Sequence, residues 1–392
     1  MIRSYKHLYS RFLSTNPERL HFAAHSHHLW PDVTRDAQLQ VWDDAAREID
    51  DKWDTIFGSV IPEAQSHIAR LLELPRPDLI AFAPNTHEFV VRLLSCFPEE
   101  RPLRVLTTDG EFHSFSRQLQ RYQELRRVTA ERVPVEPFAT FEDRFKSTLQ
   151  ASQWDLVFCS TVFFQYGYAL SNLQSIVDAA PPETSIVFDG YHSFCALPIS
   201  LKGVAERAFF LAGGYKYAQA GEGACFLCVP PSCQLRPLNT GWFASFSTLT
   251  DQQSNIGQMP FADDAFRFWG ATFDPSGLYR FNAVQNLFLR EELEPRKIHG
   301  HVHSLQSQLL RALEEQNPDC FKNCEVLLHD PDWHGHFLSL RTPQADKLCS
   351  ELRSHNIMVD TRGDLLRIGI GLYHDSNDVD ELLRRLRCCS RV

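Results

Sequence analysis

The sequence predicts an α/β fold built on a mostly parallel sheet. Three features carry that prediction: short apolar runs, helix-length stretches between them, and a change of texture past Asn282. The runs are 78–84 (DLIAFAP), 103–108 (LRVLTT), 155–162 (DLVFCSTV), 185–189 (SIVFD), 207–213 (RAFFLAG) and 224–229 (ACFLCV). Each is almost wholly apolar and rich in Val, Phe and Leu, as strands covered on both faces must be. Stretches of helical length, such as 114–127 and 139–151, lie between most of them. Such alternation needs crossover connections, and crossovers join parallel neighbours.

Past Asn282, the residues Val302, Leu305, Leu309, Leu310 and Leu313 recur at helical spacing and mark an amphipathic helix. A strand over 336–340, a helix over 343–355, short strands over 357–360 and 365–370, and a last helix from Asp375 complete a compact α+β unit. The chain divides on this reading into an N-terminal segment (1–45) packing on the small domain and the active site, a large domain (46–285) and a small C-terminal domain (286–392).

Lys and Arg number 39 against 49 Asp and Glu, a formal net charge of −10. That balance argues against nucleic-acid and membrane-surface partners. Apolar residues make up 43%, enough for a real core, and no apolar stretch approaches the roughly 18 residues of a membrane span. The charged opening MIRSYKHLYSRF and the odd count of 11 cysteines, in a chain too long to need a disulfide framework, predict a reducing, cytoplasmic setting. Cys225 and Cys228 have CxxC spacing, but positions i and i+3 of a strand face opposite ways, so both are expected to be buried and structural. Cys388 and Cys389 are expected to be free thiols without a task. The cluster of His25, Ser26, His27 and His28 is expected to form a loop near the active site, with no metal.

The chemistry-bearing stretch follows from strand ends. One apolar run closes on Asp189, with His192 just beyond; the next closes on Gly213 and leads into Tyr215, Lys216 and Tyr217. Ligands of open α/β sheets bind at the carboxyl ends of strands. A carboxylate and an amine there suit pyridoxal 5'-phosphate (PLP): Asp189 pairs with the protonated pyridine nitrogen, and Lys216 forms a Schiff base with the aldehyde. Asn85 and Thr86 open a helix after the first run, where free N–H groups and the helix dipole favour a phosphate. Phe112, past the second run, offers a wall for the ring, and Arg367, a cation inside an apolar run, offers an anchor for a substrate carboxylate. Each has a plain structural alternative: capping for Asp189, Asn85 or Thr86, a core position for Phe112, a salt bridge for Arg367.

These segments resemble the class V aminotransferase superfamily of fold-type I PLP enzymes, and within it kynureninase. AHSHHLWP is similar to that family's NSLGLQP segment at Ser26, Leu29 and Pro31, and APNTHEF to its MNT segment at Asn85 and Thr86. GEFHSF resembles the segment of the ring-stacking phenylalanine at Phe112. FDGYHSF resembles FDLAHAV at Asp189 and His192, and GGYKYAQAGEGA resembles SYKYLNAGPGG at Tyr215 and Lys216. TGWF supplies Trp242, and LLRIGIGLYHDSNDVDEL resembles IRVAPVPLYNSFEDV at Arg367.

The resemblance implies a large domain on a mostly parallel seven-stranded sheet, a smaller α+β C-terminal domain and a homodimer with shared active sites. PLP would be held by Asn85, Thr86, Phe112, Asp189, His192, Tyr215 and Lys216, with Trp242 and Thr272 serving the site of the other subunit. A small amino-acid substrate would be held by Arg367, Ser26 and His28. The chain departs from the family at His25, His28, Phe115, Glu222 and 273–275, where the far part of a substrate would sit.

The activity implied is kynureninase-like: hydrolytic cleavage of the Cβ–Cγ bond of a kynurenine-type amino acid, with Lys216 shuttling the α-proton. Three alternatives stand beside it. One is a class V aminotransferase. Another is a β-eliminating lyase or desulfurase, for which Cys349 is the candidate thiol although its segment has a helical pattern. The last is a non-catalytic PLP-fold binding or regulatory protein.

Overall fold

The computed structural model describes residues 3–97, 100–248, 259–328, 330 and 334–389. The chain begins with α1 (Ser10–Thr15), β1 (Leu20–His21), α2 (Val33–Glu48), α3 (Lys52–Thr55) and α4 (Ile61–Leu72). An alternating run follows: β2 (Ile80–Ala83), α5 (Thr86–Leu94), β3 (Leu103–Thr108), α6 (His113–Glu124), β4 (Val128–Val133), α7 (Phe141–Ala151) and β5 (Leu156–Ser160). It continues through α8 (Leu173–Ala179), β6 (Ser185–Asp189), β7 (Ala208–Gly213) and β8 (Cys225–Cys228). The last part holds α9 (Ser276–Arg290), α10 (Pro295–Gln316), β9 (Glu325–Val326), β10 (Phe337–Arg341) and α11 (Ala345–Ser354). It closes with β11 (Ile357–Met358), β12 (Asp360–Arg362), β13 (Leu365–Gly369) and α12 (Ser376–Leu386).

Strands β2 to β8 form one seven-stranded sheet in the order β2-β8-β7-β6-β5-β3-β4. Neighbours from β4 to β7 are parallel, and β8 runs antiparallel to both β7 and β2. The apolar runs became strands covered on both faces; every residue of β5, β7 and β8 is buried, as is every residue of β2 although it lies at one edge of the sheet. The sequence reading missed β4. Its Thr129, Glu131 and Arg132 face solvent: unlike β2 at the opposite edge it is not covered on both faces, and its charges protect it.

The chain steps outward from β3 to β4 and then returns through β5 to β6 and β7. The junction of β3 and β5 is therefore the switch point at which open α/β sheets form a ligand crevice. The ladder between these strands holds only Val105↔Leu156 and Leu106↔Val157, so their carboxyl ends splay apart.

A second, antiparallel sheet has the order β12-β13-β10-β9. It shares a core with α10, α11 and α12 through Leu305, Leu309, Leu338, Leu352, Leu366 and Leu382. Val302, Leu305 and Leu309 of the expected amphipathic face are buried, with Leu310 and Leu313 packed at the margin. A capping box of Asp375 and Asp378 starts α12.

The N-terminal segment straddles both cores: Tyr9 and Leu29 join the large one, Leu20 and Phe22 the small one. Its strand β1 pairs in parallel with β11. No helix among the described residues is long and apolar enough to cross a membrane.

Candidate active site

A cleft of about 260 Å3 opens at the carboxyl ends of the sheet, lined among others by Thr86, Phe112, Ser160, Asp189, His192 and Lys216. Asp189 is the last residue of β6, and Lys216 follows the end of β7; the two strands are parallel neighbours, so topology alone places acid and amine side by side. At the end of β7, Gly213 lets Tyr191 and Cys225 pack directly against the backbone. A Cβ there would run into the Tyr191 hydroxyl and the Cys225 sulfur. Gly213→Ala is expected to destabilise the protein by about 1–3 kcal/mol, the usual range for overfilling a packed core. The check is the urea midpoint, and an unchanged value would mean that the wall of Tyr191 and Cys225 yields freely.

The amine sits in a tight polar and aromatic setting. Lys216 Nζ lies 2.5 Å from His192 Nε2. It is 5.1 Å from the ring centre of Tyr191, 5.5 Å from that of Phe112 and 5.8 Å from that of Tyr215. Burial lowers the Lys216 pKa to about 7, against the upward pull of Asp189. Near neutral pH a large share of the amine is therefore unprotonated and nucleophilic. Burial, reinforced by the Lys216 charge, pushes His192 well below its ordinary range, and its Nδ1 is enclosed without a hydrogen-bond partner. Asp189 Oδ1 accepts the Tyr191 N–H at 2.9 Å. Burial raises the Asp189 pKa above the ordinary carboxylate value, although the Tyr191 N–H and Lys216 oppose this. A cation arriving beside this carboxylate would reverse that rise.

Other expected site residues divide into two groups. Asn85, Thr86, Phe112 and Tyr215 line the cleft with the central trio. The Asn85 side chain caps α5 by accepting the Glu88 N–H at 3.1 Å, so its oxygen already has a structural task. Burial pushes Tyr215 up to about 12, which keeps its hydroxyl a neutral donor. The Phe112 ring meets Phe164 edge-on at 5.2 Å.

Arg367, Ser26, His28, Trp242 and Thr272 do not line the cleft of this chain. Arg367 Nε donates to Asp360 Oδ1 at 2.9 Å, its Nη2 pairs with the other carboxylate oxygen, and its Nη1 donates to the Phe164 carbonyl. The salt-bridge alternative is thus what the arginine fork makes here. His28 spends both ring nitrogens on backbone: Nδ1 donates to the Leu29 carbonyl at 2.7 Å, and Nε2 accepts the Leu372 N–H at 3.3 Å. The Ser26 hydroxyl lies 3.4 Å from His27 Nδ1, and it is the His27 ring that reaches Tyr215, at 5.4 Å. Trp242 is 45% exposed beside Phe243 and Phe246, and Thr272 is exposed.

Two departures expected near the substrate have structural tasks instead. Phe115 faces inward from α6 and stacks on Phe158 at 3.7 Å, one helical turn away from the cleft-facing Phe112. Asp274 holds the start of α9 by accepting from the Ser276 N–H and hydroxyl, each at 2.9 Å. Glu222 does line the cleft.

Sequence reasoning missed Ser160, Glu111 and Asp360, which carried no motif. Cys225 and Cys228 are buried on β8 as expected; Cys225 borders the cleft, and burial pushes its thiol up to about 11. Cys349 sits on α11, away from the cleft, with its Sγ 3.6 Å from the Val359 carbonyl.

No protein-family model matches the chain, and no curated protein matches it at a significant level. Solved structures do match. A lysine-to-alanine variant of C-DES with glycine covalently linked to its PLP cofactor superposes with a TM-score of 0.81 at 16% identity, covering 99% of this chain and 100% of that one. C-DES is a cystine C-S lyase whose reaction product is cysteine persulfide. The cysteine desulfurase of Thermococcus onnurineus NA1 gives 0.78 at 16% identity, covering 99% of this chain and 98% of that one. The cysteine desulfurase CsdA of Escherichia coli gives 0.75 at 13% identity, covering 97% and 99%. Nothing in these neighbours supports the kynureninase-like specificity expected from the sequence. The seven-stranded sheet with its smaller antiparallel companion is a fold shared with a PLP-binding C–S lyase and with cysteine desulfurases.

Proposed function

We propose that the protein is a PLP-dependent lyase that breaks the Cβ–S bond of a sulfur-bearing α-amino acid such as cystine. The observation that carries this reading is the meeting of Lys216, His192 and Asp189 in the sheet-end cleft, with no cysteine of the C-terminal unit lining it among the described residues. The donor set fits PLP. Thr86 at the start of α5 and the Tyr215 hydroxyl suit the phosphate, Phe112 suits the ring, and a protonated ring nitrogen would bring the raised Asp189 pKa back down.

When bound, PLP supplies a sink for the electron pair left at Cα once its proton is removed. Asp189 holds the proton on the ring nitrogen, and His192 holds Lys216 in place. Lys216 takes the proton from Cα and delivers one to the departing sulfur. A desulfurase that stores sulfur on its own thiol needs a mobile cysteine at the cleft. Cys349 is fixed in a helix and bonded to the Val359 carbonyl, so the sulfur leaves with the product. Cystine and water then give pyruvate, ammonia and cysteine persulfide. Trp242 and Thr272 are proposed to complete the site of a second copy, since neither serves the cleft of its own chain.

The test is incubation of PLP-loaded protein with cystine, cysteine, alanine and kynurenine. Pyruvate and persulfide from cystine are the expected result. Anthranilate from kynurenine without pyruvate from cystine would return the assignment to hydrolysis, and amino transfer from alanine to a keto acid would make it an aminotransferase.

A further inference from the structure

We infer that Glu111 is a positioning residue of the cleft: its carboxylate bridges the splayed ends of β3 and β5 and sets whether the Ser160 hydroxyl turns its proton or its lone pairs toward a bound ligand. The inference rests on the PLP reading only for the identity of that ligand.

Glu111 lies between the end of β3 and Phe112 and is 3% exposed. Its Oε1 accepts the Thr108 hydroxyl at 2.7 Å and the Ser160 N–H at 3.1 Å, and its Oε2 lies 2.6 Å from the Ser160 hydroxyl. Thr108 Oγ1 itself accepts the Gly110 N–H at 3.1 Å, which fixes Thr108 as a donor toward Glu111. The β3–β5 ladder ends at Leu106↔Val157, so the Ser160 N–H is left without a strand partner on that side and the carboxylate takes it. On the other side Ser160 is in register with Asp189. Ser160 lines the cleft and Glu111 does not, so the carboxylate acts through the serine.

The direction of the Ser160–Glu111 bond depends on one proton. Burial pushes the Glu111 carboxyl up to about 7, with the Ser160 and Thr108 donors pulling the other way and the nearby Asp189 charge adding to the rise. The Asp189 charge on β6 acts on Glu111, the buried Cys159 on β5 is raised in turn by the Glu111 charge, and Lys216 acts on Asp189 from beyond. Ionised Glu111 can only accept, so Ser160 gives it the hydroxyl proton and shows lone pairs to the cleft. Neutral Glu111 donates from Oε2 to the Ser160 oxygen, and the serine proton turns outward. Glutamine reproduces the second arrangement at every pH: its NH₂ donates to Ser160 while its oxygen keeps the Thr108 and Ser160 N–H bonds.

The experiment follows the visible absorption of PLP-loaded protein across neutral pH in the parent, Glu111→Gln and Glu111→Asp. The parent is expected to show a spectral transition that the glutamine variant lacks, its spectrum staying in the parent's low-pH form, and the aspartate variant is expected to restore a transition. Ser160→Ala, which keeps the backbone N–H bond to Glu111, is expected to lose the transition too and serves if the glutamine variant does not fold. A variant lacking the carboxylate or the hydroxyl that titrates like the parent overturns the inference. A parent that takes up no PLP overturns the proposed function instead.

Discussion

Lys216→Ala is expected to abolish the visible absorption that PLP develops on the parent and to slow turnover by about 10²–10⁴-fold or more, the weight of one well-placed acid–base group. The magnitude follows from the surroundings. The amine faces His192 and Asp189 and is ringed by Tyr191, Phe112 and Tyr215. Water entering the space left by the side chain has no comparable proton affinity. The variant will fold, because burial of this lysine opposes folding. Its pKa is about 7 in the native state and 10.5 ordinarily, so the unfolded chain binds the extra proton between those values. PLP-free parent therefore gains stability as pH rises through that window, and the alanine variant does not show this term. Urea midpoints at several pH values, read beside the absorption spectra, separate lost chemistry from lost structure. A variant that keeps the visible band after free amino acids have been removed takes Lys216 out of its role.

Asp189 and Lys216 were legible because each follows directly from an apolar run, and a parallel sheet brings the ends of such runs together. Glu111 was not, since in DGEF it reads as one more loop acid; only the splay of β3 from β5 gives its carboxylate an N–H to hold. Phe112 and Phe115 look equivalent in FHSF, yet the start of α6 turns the first to the cleft and the second onto Phe158. β4 was hidden because Thr129, Glu131 and Arg132 face solvent, which removes the apolar signature that the covered edge strand β2 keeps. Arg367 stood out as a cation in an apolar run, but its partner Asp360 lies in VDTRGD, a hairpin whose pairing no spacing rule reveals. Trp242 and Thr272, which the family motifs marked, do not line the cleft of their own chain.

Asp360→Asn is expected to destabilise the protein by about 3–5 kcal/mol, the usual penalty for stripping one partner from a buried ion pair. The side chain of Arg367 is 3% exposed, and Asp360 takes both its Nε and its Nη2. The same carboxylate holds His25 Nε2 at 2.8 Å, on a ring stacked against Phe337 at 4.6 Å. Burial alone would raise the Asp360 pKa; His25 and Arg367 outweigh it and hold the carboxyl well below the usual range. A depressed native pKa means that the stabilisation is complete above the unfolded value, about 3.9, and is lost as pH falls below it. The parent should therefore weaken in acid more steeply than the asparagine variant, with the full gap between their urea midpoints present at neutral pH. Activity should move the opposite way if Arg367 meets the substrate carboxylate, because asparagine offers one acceptor where aspartate offers two and frees half of the guanidinium fork. A lower KM on a less stable protein is the signature of that competition. A lower midpoint with an unchanged KM would make Arg367 a structural residue alone, and an unchanged midpoint would show that the pair contributes nothing.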